Sequence, residues 1–214
     1  MGGSTGTGDL TAEELSFLEL EGYLRLRSVL TSRQLIQMRE AWDSLLEEGR
    51  RLKSSGNEAP SDGPSGLEKA PAFACCLAHP RVMSALSALL GGDVMLIGMR
   101  GRDPPQGHGR QGLHTDHPQP VEAARQIMAN VFWVLDDMDG ANGATRFVPG
   151  SHRLRQLPRG QWAQPHGKHP QELILAAQAG DAIVFSAHVW HAGSLNSSGA
   201  RRRVAIAQFR RSGS

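Results

Sequence analysis

The spacing of apolar residues changes character near residue 92 and divides the chain into two textures. In the first, apolar positions recur with helical period. Thr11 and Glu14 stand three apart, the spacing at which a hydroxyl and a carboxylate cap each other's backbone, and they open a short helix through Leu15 and Leu18. Gly22 ends it, and Tyr23-Leu24-Arg25-Leu26 alternates like a brief strand. Thr31 or Ser32 then caps a longer helix with Leu35, Met38, Trp42 and Leu45 in helical register. A third helix is predicted from about His79 to Leu90, with Val82, Leu86 and Leu89 on one face and Gly91-Gly92 as its stop. Between them, residues 53–66 are rich in Gly, Ser, Pro and Asp and read as a mobile loop. Residues 1–9 read as a disordered N-terminus.

Beyond residue 92 the apolar runs become short and β-compatible: Val94–Met99, Ile127–Leu135, Thr145–Val148, Leu173–Ala177, Ala182–Phe185, Val189–Ala192 and Val204–Phe209. Turn dipeptides separate them, among them Asp139-Gly140, Asn142-Gly143, Pro149-Gly150 and Gly180-Asp181. The pattern predicts one mainly β domain over residues 10–214, helical over 10–92 and an antiparallel barrel or jelly roll over 93–210.

Composition removes several classes. Hydrophobic residues at 39% and charged residues at 21% suit a folded globular chain, and 214 residues suit one domain better than two. A net charge of +2 gives no reason to expect nucleic acid or membrane as partner. Cys75 and Cys76 are the two cysteines, too few for a disulfide framework or a four-cysteine zinc site. No apolar run approaches the roughly 20 residues that span a bilayer, and the first residues lack the features of a secretory signal. A cytoplasmic location is the expectation.

Candidate chemistry lies in the placement of the histidines. His114 and Asp116 are two apart, so an extended segment points both to one side. His191 follows a later β-like run. Two imidazoles and a carboxylate make a facial triad suited to iron(II), with further positions open to co-substrate and O₂, although zinc could use the same ligands. The pair alone is weak, because a short His/Asp pair also serves in polar turns. Arg202, eleven residues after His191 at the start of the final strand, strengthens it. Its guanidinium could take the distal carboxylate of a dicarboxylic keto acid in two-pronged fashion. His188-x-x-His191 leaves either histidine available to the metal, and the arginine offset favours His191. The plain alternative for Arg201–Arg203 is a solvated basic turn, and for three arginines in a row it is expected of at least one.

On Gly112-Leu113-His114-Thr115-Asp116, the stretch Asn142–His152 with its Val-Pro-Gly-Ser-His end, Gly180-Asp181, and His191 followed by Asn196 and Arg202, the sequence resembles the phytanoyl-CoA dioxygenase family of Fe(II)/2-oxoglutarate oxygenases. The likeness extends from about residue 10 to 210. It implies a double-stranded β-helix of the jelly-roll, cupin-like kind. It also implies Fe(II) held by His114, Asp116 and His191, 2-oxoglutarate bound by Arg202, and O₂ as second co-substrate. Asn130, polar on an apolar strand, is a further candidate contact to 2-oxoglutarate or else a satisfied core amide. Trp133 and His152 read as structural. Related halogenases lack the carboxylate ligand, so Asp116 favours a hydroxylase.

The chain is short for this family around residues 50–75, so the namesake substrate does not carry over. Two loops, Arg100–Leu113 and His152–Pro170, are expected to frame the pocket. Their basic residues, among them Arg100, Arg102, Arg110, Arg153, Arg155, Arg159, His166, Lys168 and His169, suit an anionic or acyl-carrier-linked small-molecule substrate or form a solvated surface. Two alternatives stand beside the hydroxylase: a cupin-like metalloenzyme that needs no keto acid, and a binding module without catalysis. The lack of a His-Glu-x-x-His motif leaves a zinc protease unsupported.

Overall fold

The capping box is formed: Thr11 Oγ1 accepts from the Glu14 N–H, and the Glu14 carboxylate accepts from the Thr11 N–H, opening α1 (Ala12–Glu21). This is seen in a computed structural model, which describes residues 8–53, 63–117 and 126–212. Gly22 closes α1 at φ 77°, where a β-carbon would lie 2.3 Å from His152 Nδ1, so both conformation and space call for glycine. β1 (Tyr23–Leu26) follows at once. Thr31 and Gln34 exchange side chain-to-backbone hydrogen bonds at the head of α2 (Ser32–Lys53), and α3 is Pro80–Leu90. The expected disorder at the N-terminus and much of the expected loop at 53–66 lie outside the described residues.

The remaining strands are β2 (Val94–Arg102), β3 (Met128–Val134), β4 (Thr145–Phe147), β5 (Leu173–Ile174), β6 (Ala182–Ser186), β7 (His191–Gly193) and β8 (Val204–Arg211). They form two antiparallel sheets, a larger one in the order β1-β6-β3-β8-β2 and a smaller one in the order β5-β4-β7. Alternation along β3 explains the layering. Ala129, Val131 and Trp133 join Met38, Trp42, Phe73, Val82 and Leu86 in a core beneath the helices. Phe132 and Val134 face the other way, into a second core with Phe147, Phe185 and Ile206 between the sheets. Covered on both faces, β3 has no solvent-facing side, hence an apolar run interrupted at Asn130 alone. Each large buried side chain contributes about 1.5–3 kcal/mol.

Two sheets facing each other in this way form a double-stranded β-helix. Three local features depart from the sequence pattern. β1, in the helical third, is an edge strand of the large sheet and pairs with β6. Leu67–Lys69 and Pro71–Cys76 form short 3₁₀ turns inside a stretch without periodicity. Arg100 to Arg102, expected in a loop, belong to β2. Among the described residues, no helix is long and apolar enough to cross a membrane.

Candidate metal centre

His114 and His191 oppose each other in an isolated antiparallel bridge, each backbone N–H donating to the other's carbonyl at 3.0 Å. Directly opposed residues put their side chains on the same face, and the two rings sit 4.5 Å apart. His114 Nδ1 lies 3.0 Å from the Gly112 carbonyl, and His191 Nδ1 lies 2.9 Å from that of Val189. A carbonyl only accepts, so each Nδ1 carries a proton and each Nε2 is turned to the site. The Asp116 backbone N–H is anchored on Ala187 O at 2.9 Å. Its carboxylate reaches 3.2 Å from His191 Nε2 and 3.9 Å from His114 Nε2. One ligand atom from each of the three residues lies within 4.8 Å of the other two.

The electrostatics agree with a cation site. Burial pushes the Asp116 carboxyl up, but the charges of His191 and His114, the His191 hydrogen bond and Arg100 outweigh it and bring it down to about 2. His191 is held above the usual imidazole range: burial opposes the proton, and the Asp116 charge and hydrogen bond overcome it. His114 is pushed down by burial and then by His191, so it presents a neutral ring. A divalent cation would replace the proton shared by His191 and Asp116, leaving two imidazole nitrogens and a carboxylate oxygen as donors. That donor set fits Fe(II) and leaves coordination positions for other ligands.

Local sequence explains the placement. A β-carbon on Gly112 would lie 2.0 Å from the Ala163 carbonyl oxygen, so only glycine lets the His114 segment pass this close to the turn at Gly160–Ala163. The Leu113 N–H donates to Trp162 O at 2.9 Å on the same seam. The loop at 152–170 therefore braces the metal segment from behind. None of its basic residues lines the metal cavity. His166 and Lys168 line a separate cleft with Arg110.

One cavity joins the triad to Arg202, between the apolar residues Phe132, Val204 and Ile206 of the large sheet and Thr145 and Gly193 of the small one. Arg202 is only 1% exposed. Its neighbours in sequence explain why it turns inward. Arg201 pairs with Asp103 at 2.9 Å and Asp43 at 3.0 Å, while Arg203 holds Asp136 in two-pronged fashion at 2.7 and 2.9 Å. Both outer arginines are thus ion-paired rather than merely solvated. Asp103 also accepts the Arg202 N–H at 3.0 Å. With Arg201 and Arg203 held by acids outside the cavity, chain alternation leaves Arg202 to the inside.

Asn130 is fully buried, and its amide donates to Asp116 Oδ2 at 2.5 Å. It sits behind the metal carboxylate and is not part of the cavity wall, so its position is that of an orienting partner. His188 turns away from the metal site: its Nδ1 lies 2.9 Å from Gln126 Oε1, and its ring faces His117 at 4.9 Å. The choice between the two histidines of the His-x-x-His stretch falls on His191. His152 Nε2 is 3.1 Å from the Glu19 carbonyl and Trp133 lies in the helix-side core, structural positions for both. Gln111 lines the cavity too, its Oε1 accepting the Gly193 N–H at 3.0 Å. No pattern in the sequence marks it.

Comparison with known proteins gives the same picture. A model of the family described as Phytanoyl-CoA dioxygenase (PhyH) matches residues 18–204. Among curated relatives, the "Fe(II)/2-oxoglutarate-dependent dioxygenase nvfF" of Aspergillus novofumigatus is 31% identical over 102 residues, 45% of this chain and 32% of that protein. The chain spans less than half the length of the first curated relatives it matches. Among solved structures, AviO1 from Streptomyces viridochromogenes Tue57 superposes with a TM-score of 0.71 at 20% identity, covering 98% of both chains. HygX from Streptomyces hygroscopicus, solved with nickel and 2-oxoglutarate bound, gives 0.70 at 16% identity over 96% of this chain and 88% of that one. These two likenesses establish the fold, and the family match, which covers most of the chain and all three candidate ligands, places the chain in the phytanoyl-CoA dioxygenase (PhyH) family.

Proposed function

We propose that the chain is an Fe(II)- and 2-oxoglutarate-dependent dioxygenase that hydroxylates an aliphatic C–H bond of a small-molecule or carrier-linked metabolite, releasing succinate and CO₂. One observation carries the reading: the buried Arg202 and the His114–Asp116–His191 triad share one cavity. A bound iron, with O₂ and a keto acid, supplies the oxidising chemistry. The chain supplies the rest. His114, Asp116 and His191 hold the metal, with Asn130 steadying the carboxylate. Arg202 takes the distal carboxylate of the keto acid, and its burial strengthens that ion pair. Phe132, Val204 and Ile206 exclude water from the wall. The name of the nvfF relative and the 2-oxoglutarate in HygX support the co-substrate.

Arg202 weighs against a keto-acid-independent cupin enzyme, which has no use for a buried cation at that place. An intact triad beside Arg202 weighs against a binding module, and Asp116 against a halogenase. For the compartment we propose the cytoplasm, where the free thiols of Cys75 and Cys76 stay reduced. Anaerobic addition of Fe(II) and 2-oxoglutarate should produce a weak visible charge-transfer band. Asp116→Ala should abolish it, and Arg202→Ala should require about tenfold more 2-oxoglutarate or greater. A band unchanged in both variants would show the site to be misassigned.

A further inference from the structure

β2 carries a register shift that decides what its last residues face. Leu96 pairs with Phe209 and Gly98 with Gln208, so Ile97 has no partner across the ladder. Side chains alternate along a strand, and one extra residue swaps the two faces beyond it. Before the bulge, Val94 and Leu96 pack on the helix-side core. After it, Met99 enters that core and Gly101 lies against Trp42. Arg100 and Arg102 are thereby turned to the opposite face, where both line the metal cavity. Their cross-strand partners Ile206 and Val204 line it as well.

The three cavity arginines form a graded series. Arg202 is buried, Arg102 half-buried and Arg100 exposed. Arg202 lies two residues before Val204, where β8 begins and pairs with Arg102, and Ile206 further along β8 pairs with Arg100. At an extended rise per residue, the four residues from Arg202 to Ile206 separate the Arg202 and Arg100 levels by roughly 13 Å. A keto acid held between the metal and Arg202 therefore leaves Arg100 to another group. Charge points the same way. Asp116 is the one acid among the described residues lining the cavity. A divalent metal, Asp116, a dianionic keto acid and Arg202 balance one another, and the exposed Arg100 adds a further positive charge at the mouth of the loaded cavity.

Resting on the proposed oxygenase reading, we propose that Arg100 and Arg102 form a subsite for an anionic group of the substrate, a carboxylate or a phosphate, at the mouth of the metal cavity. The bulge at Ile97 aims the subsite, and the apolar wall of Phe132, Val204 and Ile206 takes the adjoining carbon chain.

The test uses anaerobic protein loaded with Fe(II) and saturating 2-oxoglutarate, titrated by calorimetry with octanoate, octyl phosphate and neutral octanamide. At least one anion should bind about tenfold more tightly than the amide, and Arg100→Gln, or Arg100→Gln with Arg102→Gln, should bring the ratio to within about twofold of unity. Which anion wins tells carboxylate from phosphate. A wild-type ratio already near one overturns the proposal, as does a preference that survives in the double variant. The ratio is taken within each protein, so a general loss of stability cancels. Failure of the oxygenase reading shows separately, as a missing visible band before any titrant is added, and the calorimetric ratio is readable in either case.

Discussion

Replacing Asn130 with alanine removes the amide that donates to Asp116 Oδ2 at 2.5 Å. The position is fully buried, so bulk water does not take over the bond. A hydrogen bond to a charged group contributes about 1.5–3 kcal/mol. Independently, losing a partner that orients a metal-binding side chain typically costs about 10–100-fold in metal affinity, roughly 1.4–2.8 kcal/mol. The two routes agree, so Asn130→Ala should raise the Kd for Fe(II), or for Co(II) as its air-stable substitute, by 10–100-fold. The assay is anaerobic competition against a chelator of known affinity, with the melting of metal-free protein followed in parallel. At saturating metal, the 2-oxoglutarate affinity should shift by less than about threefold, because Asn130 is not part of the cavity wall. Asn130→Asp is a sharper version. It sets a second carboxyl against Asp116, and like charges so close do not both ionise, so metal binding should become steeply pH-dependent. Metal affinity within about twofold of wild type in Asn130→Ala, with 2-oxoglutarate binding weakened about tenfold, would refute the reasoning and make Asn130 a co-substrate contact.

Asp103 holds both the Arg202 N–H and the Arg201 side chain, so Asp103→Ala should raise the Kd for 2-oxoglutarate by about five- to tenfold in a band titration. Asp43→Ala, which touches Arg201 and Arg203 but makes no bond to Arg202, should do less, and equal effects would argue against a specific hold on Arg202. Stability should fall in acid through His188, which burial, followed by His117 and His152, pushes down to about 4. Its folded value lies below the ordinary value of about 6.5, so the unfolded chain takes the proton first. The contribution is complete above about pH 6.5 and is lost progressively down to about pH 4, amounting to roughly 2 kcal/mol after allowance for solvent around the ring. His79, His114 and His152 shift in the same direction, so the check is urea unfolding of wild type against His188→Gln over this window. An equally steep profile in the variant would contradict it. Asp136 behaves differently. Burial raises its carboxyl, Arg203 more than compensates, and the net lowering places its loss of stability below the ordinary carboxylate range, near pH 4 and under.

What was legible in the sequence was local. The capping box of α1, the glycine stops after α1 and α3, and the seven β runs all follow from residues a few positions apart. The grouping of the candidate ligands was legible too, because the two-residue spacing of His114 and Asp116 fixes a common side before any tertiary contact forms. Distant partners hid the rest. Nothing near His188 announces that Gln126 will hold its ring away from the metal. Arg201 and Arg203 are claimed by Asp43, Asp103 and Asp136, which come from well separated stretches of the chain. β1 finds its place only against β6, some 160 residues later. The bulge at Ile97 is silent because Val94–Met99 reads as one apolar run, yet it decides that Arg100 and Arg102 face the metal cavity. The basic stretch at 152–170 was hard to place for the same reason: composition shows charge but not which cleft it lines.

The central claim is that the triad and Arg202 together consume 2-oxoglutarate. The most direct measurement is succinate formed from 2-oxoglutarate in the presence of Fe(II) and O₂, with oxygen uptake followed at the same time. The account predicts slow succinate formation without added substrate, strictly dependent on Fe(II) and O₂, abolished by Asp116→Ala and restored in part by excess 2-oxoglutarate in Arg202→Ala. Succinate formation that persists in Asp116→Ala, or none at all from wild-type protein that binds Fe(II) and 2-oxoglutarate, would contradict it.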